Sequence, residues 1–162
     1  EAAKGKQSGR TQEIQRLIGR SLRSVVSLSD LGEKQIKIDC DVIQADGGTR
    51  TASISGAFVS LHMAINKLRN NYNIQKPIIK NYIAAVSTGI VENKPLLDLN
   101  YNEDSSAKVD ANFVMTATNE ISEIQVTGEE SLFNDNQYNE MLGLAKKGIS
   151  EIIEKQKEVL SE

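Results

Sequence analysis

The sequence predicts an α+β chain in two parts, and three observations predict it. Apolar residues recur at helical spacing in two stretches of the first half and again at the C-terminal end. Between them lie short runs rich in Val, Ile and Thr, two of them separated by a single turn signal, as strands of a hairpin are. The turn-rich segment RNNYNIQKP divides the chain, giving a first part over residues 1–72 and a second over 73–162.

The elements follow in order. Ile14, Leu17, Ile18, Leu22, Val25 and Val26 predict a helix from Thr11, as N-cap, to Val26. Its other face carries Arg16, Arg20 and Arg23, which suits solvent, RNA or a subunit contact. Gly32 ends the loop that follows. Ile36, Ile38, Cys40 and Val42 then alternate over QIKIDCDVI, a strand with one buried face and with Cys40 as a small buried hydrophobe. Ile54, Phe58, Leu61, Ile65 and Leu68 form a second helical stripe, bordered by His62, the one histidine, in a structural role. YIAAVSTGIV and PLLDLNY read as strands, and DANFVMTAT and EISEIQVTG as a hairpin turning at Asn119. The chain closes with a long helix carrying Tyr138, Met141, Leu142, Ala145, Ile149, Ile152, Ile153 and Leu160 near one face. Gly143 and Gly148 within it each cost about 1 kcal/mol relative to Ala where exposed, so both are expected to pack closely against a neighbour.

Composition narrows the function classes. With 162 residues, 39% hydrophobic, the chain can build a core. Aromatics are 4% with no Trp, which disfavours a nucleic-acid binder built on base stacking. One cysteine excludes an intrachain disulfide and a cysteine zinc cluster, and suits a reducing cytoplasm. No run of about 18 apolar residues occurs, so no membrane span is expected, and no signal-peptide pattern appears. The net charge of −3 is unevenly spread. Residues 1–26 hold Lys4, Lys6, Arg10, Arg16, Arg20 and Arg23 against Glu1 and Glu13, whereas residues 98–140 hold ten acids and one base, Lys108. That fits an anionic ligand on one side and metal chemistry on the other, or simply two solvated faces. The chain opens at Glu1 in a glycine-bearing basic loop, EAAKGKQSGR, which reads as the middle of a protein rather than its beginning.

Three places could carry chemistry. In DGGTRTAS the glycine turn leads into a helix, so Arg50 falls in the first helical turn, where the macrodipole disfavours a cation by roughly 0.3–1 kcal/mol. Converging N–H groups of the turn, the Thr49 hydroxyl and the planar guanidinium of Arg50 would together suit a phosphate, which makes that position favourable; a turn capped by Thr49 with no ligand is the alternative. The P-loop pattern is absent. Arg10, after Ser8-Gly9 and just before the first helix, is placed in the same way and reads as a second arm or as a loop residue. In DLNYNED, Asp98 lies in a β-like run and Asp104 six residues on, with Glu103 beside it; such carboxylates suit Mg²⁺ or general-acid work. A single histidine without a convincing nucleophile disfavours Ser-His-Asp and Cys-His mechanisms.

Taken together, EAAKGKQSGRTQEIQRLIGRSLRSVV, IDCDVIQADGGTRTASISGA, AAVSTGIV, DLNYNEDSSAKVDANFVMT and the closing helix through IIEKQK resemble the bacterial ribonuclease PH family over nearly the whole chain. The resemblance implies an incomplete first domain like domain 2 of ribosomal protein S5, then a second α+β domain of ribonuclease PH type. It implies a phosphate-dependent 3′-to-5′ exoribonuclease that trims tRNA precursors, with inorganic phosphate as co-substrate releasing nucleoside diphosphates. Arg10, Gly48, Thr49 and Arg50 match the family's phosphate-binding positions, and Asp98 and Asp104 its Mg²⁺ or acid–base pair. It also implies RNA 3′ ends as partners, a homo-hexamer built as a trimer of dimers, and a cytoplasmic location. Roughly the family's N-terminal third has no counterpart in this sequence, and TGEESLF replaces a more glycine-rich run. The isolated chain is therefore expected to lack robust activity and to associate. A non-catalytic ring or RNA-binding subunit is the alternative, against which stands the presence of all the matched site residues.

Overall fold

The computed structural model describes residues 7–160; Glu1, Lys4 and Lys6 of the basic start lie outside the described residues. Its centre is a four-stranded antiparallel sheet in the order β2-β1-β3-β4, with β1 Ile83–Val91, β2 Lys94–Leu97, β3 Val109–Thr116 and β4 Ile121–Gly128. Strand β1 is buried on both faces. Because side chains alternate across a strand, Ile83 and Ala85 face one layer while Ala84, Val86 and Ile90 face the other. The first layer is α1 (Gly9–Ser24) and α3 (Thr49–Tyr72), joined through the short α2 (Leu28–Leu31). Leu17, Leu22, Ile54, Phe58, Leu61 and Ile65 fill it. The second is α5 (Asp135–Leu160), whose Met141, Ala145, Ile149 and Ile153 meet Phe113 and Met115.

The three helical stripes of the sequence thus become the buried faces of the two layers that flank the sheet. The hairpin at Asn119 is present, with Asn119 at φ 62° and the Thr116 N–H donating to the Glu120 carbonyl at 2.9 Å. A second hairpin joins β1 to β2 through Glu92 and Asn93, at φ 49° and 63°. Two consecutive positive φ angles suit the right-handed twist of paired strands. Gly148 packs as expected: a Cβ there would meet Leu97 Cδ1 at 2.9 Å. Gly143 does not, having open space where its Cβ would lie. Gln156 is 4% exposed, and its Nε2 donates to the carbonyls of Ser55 and Ile83, tying α5 to both α3 and β1.

Three local expectations change. Helix α1 begins at Gly9, capped by the Ser8 hydroxyl accepting from the Thr11 N–H, so Thr11 is not its cap. Arg10 accordingly lies inside the first helical turn rather than before it. The expected strand QIKIDCDVI is not formed, since no described strand makes a ladder with it. Alternation alone cannot bury a face without a neighbouring strand to continue the surface. Ile36 and Ile38 lean on the α1/α3 layer, whereas Cys40 is exposed and Val42 and Ile43 are 47% and 98% exposed. Partial burial, with Asp39 beside it, raises the Cys40 thiol pKa, which keeps it a thiol. Among the helix-one arginines, Arg20 is engaged within the chain, donating to both carboxylate oxygens of Glu123 on β4 at 2.8 and 3.2 Å.

Phe58, fully buried between α3 and the sheet and 5.3 Å from the Tyr82 ring centroid, is the test of this layer. Phe58→Ala should lower the unfolding free energy by roughly 3–5 kcal/mol in urea denaturation.

Candidate functional site

The site is built on the two positive helix ends of the first layer. Gly48 is the N-cap of α3 in the left-handed region, φ 69° and ψ 24°, and brings no side-chain acceptor to the first-turn N–H groups. Thr49 is the first helical residue rather than the cap, and Arg50 follows it. Neither α1 nor α3 has an acidic residue in its first turn, although each carries an arginine there. Arg10 and Arg50 form no ion pair among the described residues. Two unpaired guanidiniums at two positive helix ends are each in an unfavourable place, and an anion between them would offset both.

The glycines are dictated by close approach. A Cβ on Gly47 would fall 2.0 Å from the Leu99 carbonyl oxygen, a backbone atom that cannot turn aside. A Cβ on Gly48 would lie 3.2 Å from Ser87 Oγ and 3.9 Å from Asp98 Oδ1, in addition to straining its φ. The turn therefore sits directly on the segment that leaves β2. That segment continues into α4, Tyr101–Ser106, which periodicity could not show because it is only six residues long. Its signal in the sequence is the capping box of Asn100 and Glu103: the Asn100 side chain accepts from the Glu103 N–H at 3.0 Å, and Glu103 accepts from the Asn100 N–H at 3.0 Å. Glu103 is thus occupied by the cap, which leaves Asp104 as the acid of this helix that faces the turn.

Arg10, Gly48, Thr49, Arg50 and Asp104 all line one cleft of ≈ 240 Å³, together with Asp46, Ser87, Tyr101, Asp110 and Asn112. Asp98 is not among its lining residues. It follows β2 with φ 58°, its N–H donates to the Ser87 carbonyl at 2.8 Å, and it lines the groove beside α5 with Val86, Leu97 and Gly148. Asp98 and Asp104 thus flank the turn from neighbouring recesses, with the Asp98 carboxylate close behind Gly48.

The structure adds four further residues. Asp110 stands on β3 as the one acid in VDANFVMT, and that is its sequence signal. Burial, then the nearby Asp104 charge, raises its pKa, while Arg50 pulls it down. Asn112, two residues on along the same strand, donates to it at 3.4 Å. Ser87 is 2% exposed, and its Oγ has no hydrogen-bond partner among the described residues. Asp46 accepts from the N–H groups of Gly47 and Tyr101 at 2.9 and 2.6 Å.

The donor set fits a magnesium ion. Mg²⁺ takes hard oxygen ligands, needs one or two carboxylates and keeps waters or phosphate oxygens for the rest. Asp104 and Asp110 provide two interacting carboxylates on the cleft wall. No group of three or more His, Cys, Asp or Glu is placed to hold a metal among the described residues, so a caged, fully protein-ligated ion does not fit.

Residues 1–65 match domain 1 and residues 81–148 match domain 2 of the 3′ exoribonuclease family. The chain is 60% identical over 163 residues to ribonuclease PH of Bacillus pumilus, covering 100% of this chain and 67% of that relative. It is 59% identical to ribonuclease PH of Bacillus subtilis, again over 100% of this chain and 66% of the relative. The chain thus spans about two thirds of the length of these curated relatives. Among solved structures, rice Rrp46 superposes with a TM-score of 0.72 at 18% identity, covering 97% of this chain and 68% of that one. A chain of the Archaeoglobus fulgidus exosome with RNA bound to its active site superposes at 0.66 with 18% identity, covering 94% and 64%. At that identity the likeness is one of fold.

Two outcomes test the site's architecture. Gly47→Ala should destabilise the chain by about 1–3 kcal/mol in denaturant unfolding, as overpacking does. For Asp110, the raised folded pKa means that the native state holds its proton more tightly than the unfolded chain. Its share of stability is therefore full below the unfolded value of about 3.9 and is lost as pH rises through the raised folded value. Asp110→Asn should flatten that fall in a series of unfolding midpoints and raise the midpoint at neutral pH.

Proposed function

Because this chain belongs to the ribonuclease PH family of phosphorolytic 3′ exoribonucleases, we propose that its cleft binds inorganic phosphate and directs it against the 3′ end of RNA. The observation that carries the reading is the convergence of Arg10 and Arg50, both without an ion-pair partner among the described residues, with the Gly48 turn on a cleft that also holds Asp104.

In the proposed reaction a phosphate oxygen attacks the phosphorus of the last phosphodiester. A new P–O bond forms, and the bond to the O3′ of the preceding nucleotide breaks. The products are a nucleoside 5′-diphosphate and an RNA one nucleotide shorter, whose O3′ takes up a proton. The chain supplies no covalent nucleophile, so its work is positioning and charge stabilisation. Thr49 and the N–H groups after Gly48 orient the phosphate, and the Arg10 and Arg50 forks hold it and offset the charge that develops on the phosphoryl oxygens. Asp104, with Asp98 behind the turn, serves as the acid–base element, Asp104 delivering the proton to the leaving O3′. Alternatively, Asp98 and Asp104, with Asp110 near, would hold Mg²⁺, which would then supply charge neutralisation for the phosphoryl group in place of their acid–base role.

The substrate proposed is the 3′ end of tRNA precursors and other RNAs, including ribosomal RNA, worked on in the cytoplasm. The assembly proposed is a homo-hexameric ring, a trimer of dimers. Relatives named ribonuclease PH support the RNA substrate, and the free thiol of Cys40 accords with a reducing compartment. A non-catalytic ring or RNA-binding subunit is the competing reading, and retention of both arginines and both aspartates weighs against it.

The deciding assay measures nucleoside diphosphate release from a 3′-extended tRNA by the full-length protein, with and without phosphate. Release should require phosphate, and Arg50→Ala should lower it roughly 10²–10³-fold with the unfolding midpoint unchanged. Undiminished release by that variant, at unchanged phosphate affinity, would remove Arg50 from the site.

A further inference from the structure

The phosphate turn and the acidic helix α4 belong to different parts of the chain, 55 residues apart between Asp46 and Tyr101. They nevertheless meet through backbone. Gly47 lies so close to the Leu99 carbonyl that a Cβ would fall 2.0 Å from it. At the same place the single oxygen Oδ1 of Asp46 accepts from Gly47 N–H at 2.9 Å and from Tyr101 N–H at 2.6 Å. The first of these N–H groups belongs to the turn, and the second to the first residue of α4, whose fourth residue is Asp104. Asp46 is also an acid lining a cleft read as an anion site. A carboxylate beside a bound anion is unfavourable by itself, so its presence needs a reason, and the two N–H groups supply one.

We infer that Asp46 is a positioning residue that couples occupancy of the phosphate turn to the placement of Asp104. The inference rests on the phosphate reading of the cleft. When phosphate orders the Gly48–Arg50 backbone, the shared Asp46 oxygen carries that order to the N-terminus of α4, so phosphate in the turn strengthens the hold on the proton-handling acid. Asp46 touches neither reacting group; it acts through Gly47 and Tyr101. Coupling of this kind is reciprocal and has a definite size.

Hydrogen exchange of the ¹⁵N-labelled chain, with inorganic phosphate as the ligand, tests it. The Ala52 N–H donates to the Gly48 carbonyl and reports the turn; the Asp104 N–H donates to the Asn100 carbonyl and reports α4. In the unsubstituted chain, saturating phosphate should slow exchange at both amides, by roughly tenfold at Asp104 for a coupling of ordinary size. Asp46→Ala should abolish the slowing at Asp104 while Ala52 still responds. Asp46→Asn, which keeps an oxygen able to accept both N–H groups, should restore it, as a merely electrostatic role would not. Slowing at Asp104 that survives Asp46→Ala, or that is lost in Asp46→Asn, overturns the inference. A response at Ala52 but not at Asp104 in the unsubstituted chain overturns it too and leaves the phosphate reading intact. No response at Ala52 in the unsubstituted chain overturns the phosphate reading together with the inference.

Discussion

Strand β1 is buried on both faces, and the placement of everything else follows from that demand. A strand with water on neither side needs apolar cover twice over, which here comes from α3 on one face and α5 on the other. Gly89 belongs to the same constraint, since a Cβ there would meet the Leu99 side chain at 2.6 Å and the Val109 carbonyl at 2.7 Å. Ser87, midway along the strand, is carried by this packing to the floor of the cleft, beneath the Gly48 turn. The sheet thus serves the site less by contributing chemistry than by fixing where two loops from distant parts of the chain meet.

Much of this was legible in the sequence because the long elements have long periods. The stripes of α1, α3 and α5 extend over several turns, enough for the 3.6-residue repeat to be unambiguous, and Ile54, Phe58, Leu61 and Ile65 are indeed buried. The cation in the first turn of α3 could also be read, because the glycine pair marks where the helix begins. What escaped was whatever depends on a partner. The alternation of Ile36, Ile38, Cys40 and Val42 states a readiness to pair, and pairing needs a second strand that the described residues do not provide. Helix α4 is shorter than the window in which periodicity can be seen, although its capping box is written plainly as Asn100 and Glu103.

The site residues divide on the same line. Arg10, Thr49, Arg50 and Asp104 are recognisable because each breaks a local rule or carries a familiar side-chain chemistry. Asp110 and Asp46 matter through their neighbours instead. Asp110 is an acid whose environment comes from burial in the sheet and from Asp104 across the cleft. The role of Asp46 exists only because Tyr101 comes to lie beside it. Along the chain Asp110 stands out only as an acid within a strand, and Asp46 not at all, because what each does depends on long-range contacts.

A cleft that holds both arginines and aspartates looks at first like charges that should pair and cancel. They do not pair, because the fold holds the guanidiniums at helix ends and the carboxylates on β3, α4 and the turn. Under the proposed reading that separation is what the reaction requires. Phosphate must be drawn in by cations, and the departing O3′ must find a proton, so both kinds of group have to face one small volume without neutralising each other. Burial and the neighbouring Asp104 charge raise the Asp110 pKa while Arg50 lowers it, so acid and cation already act on one another across the cleft. The same electrostatics that put Arg50 at an otherwise unfavourable helix end thus reach the acidic wall of the site.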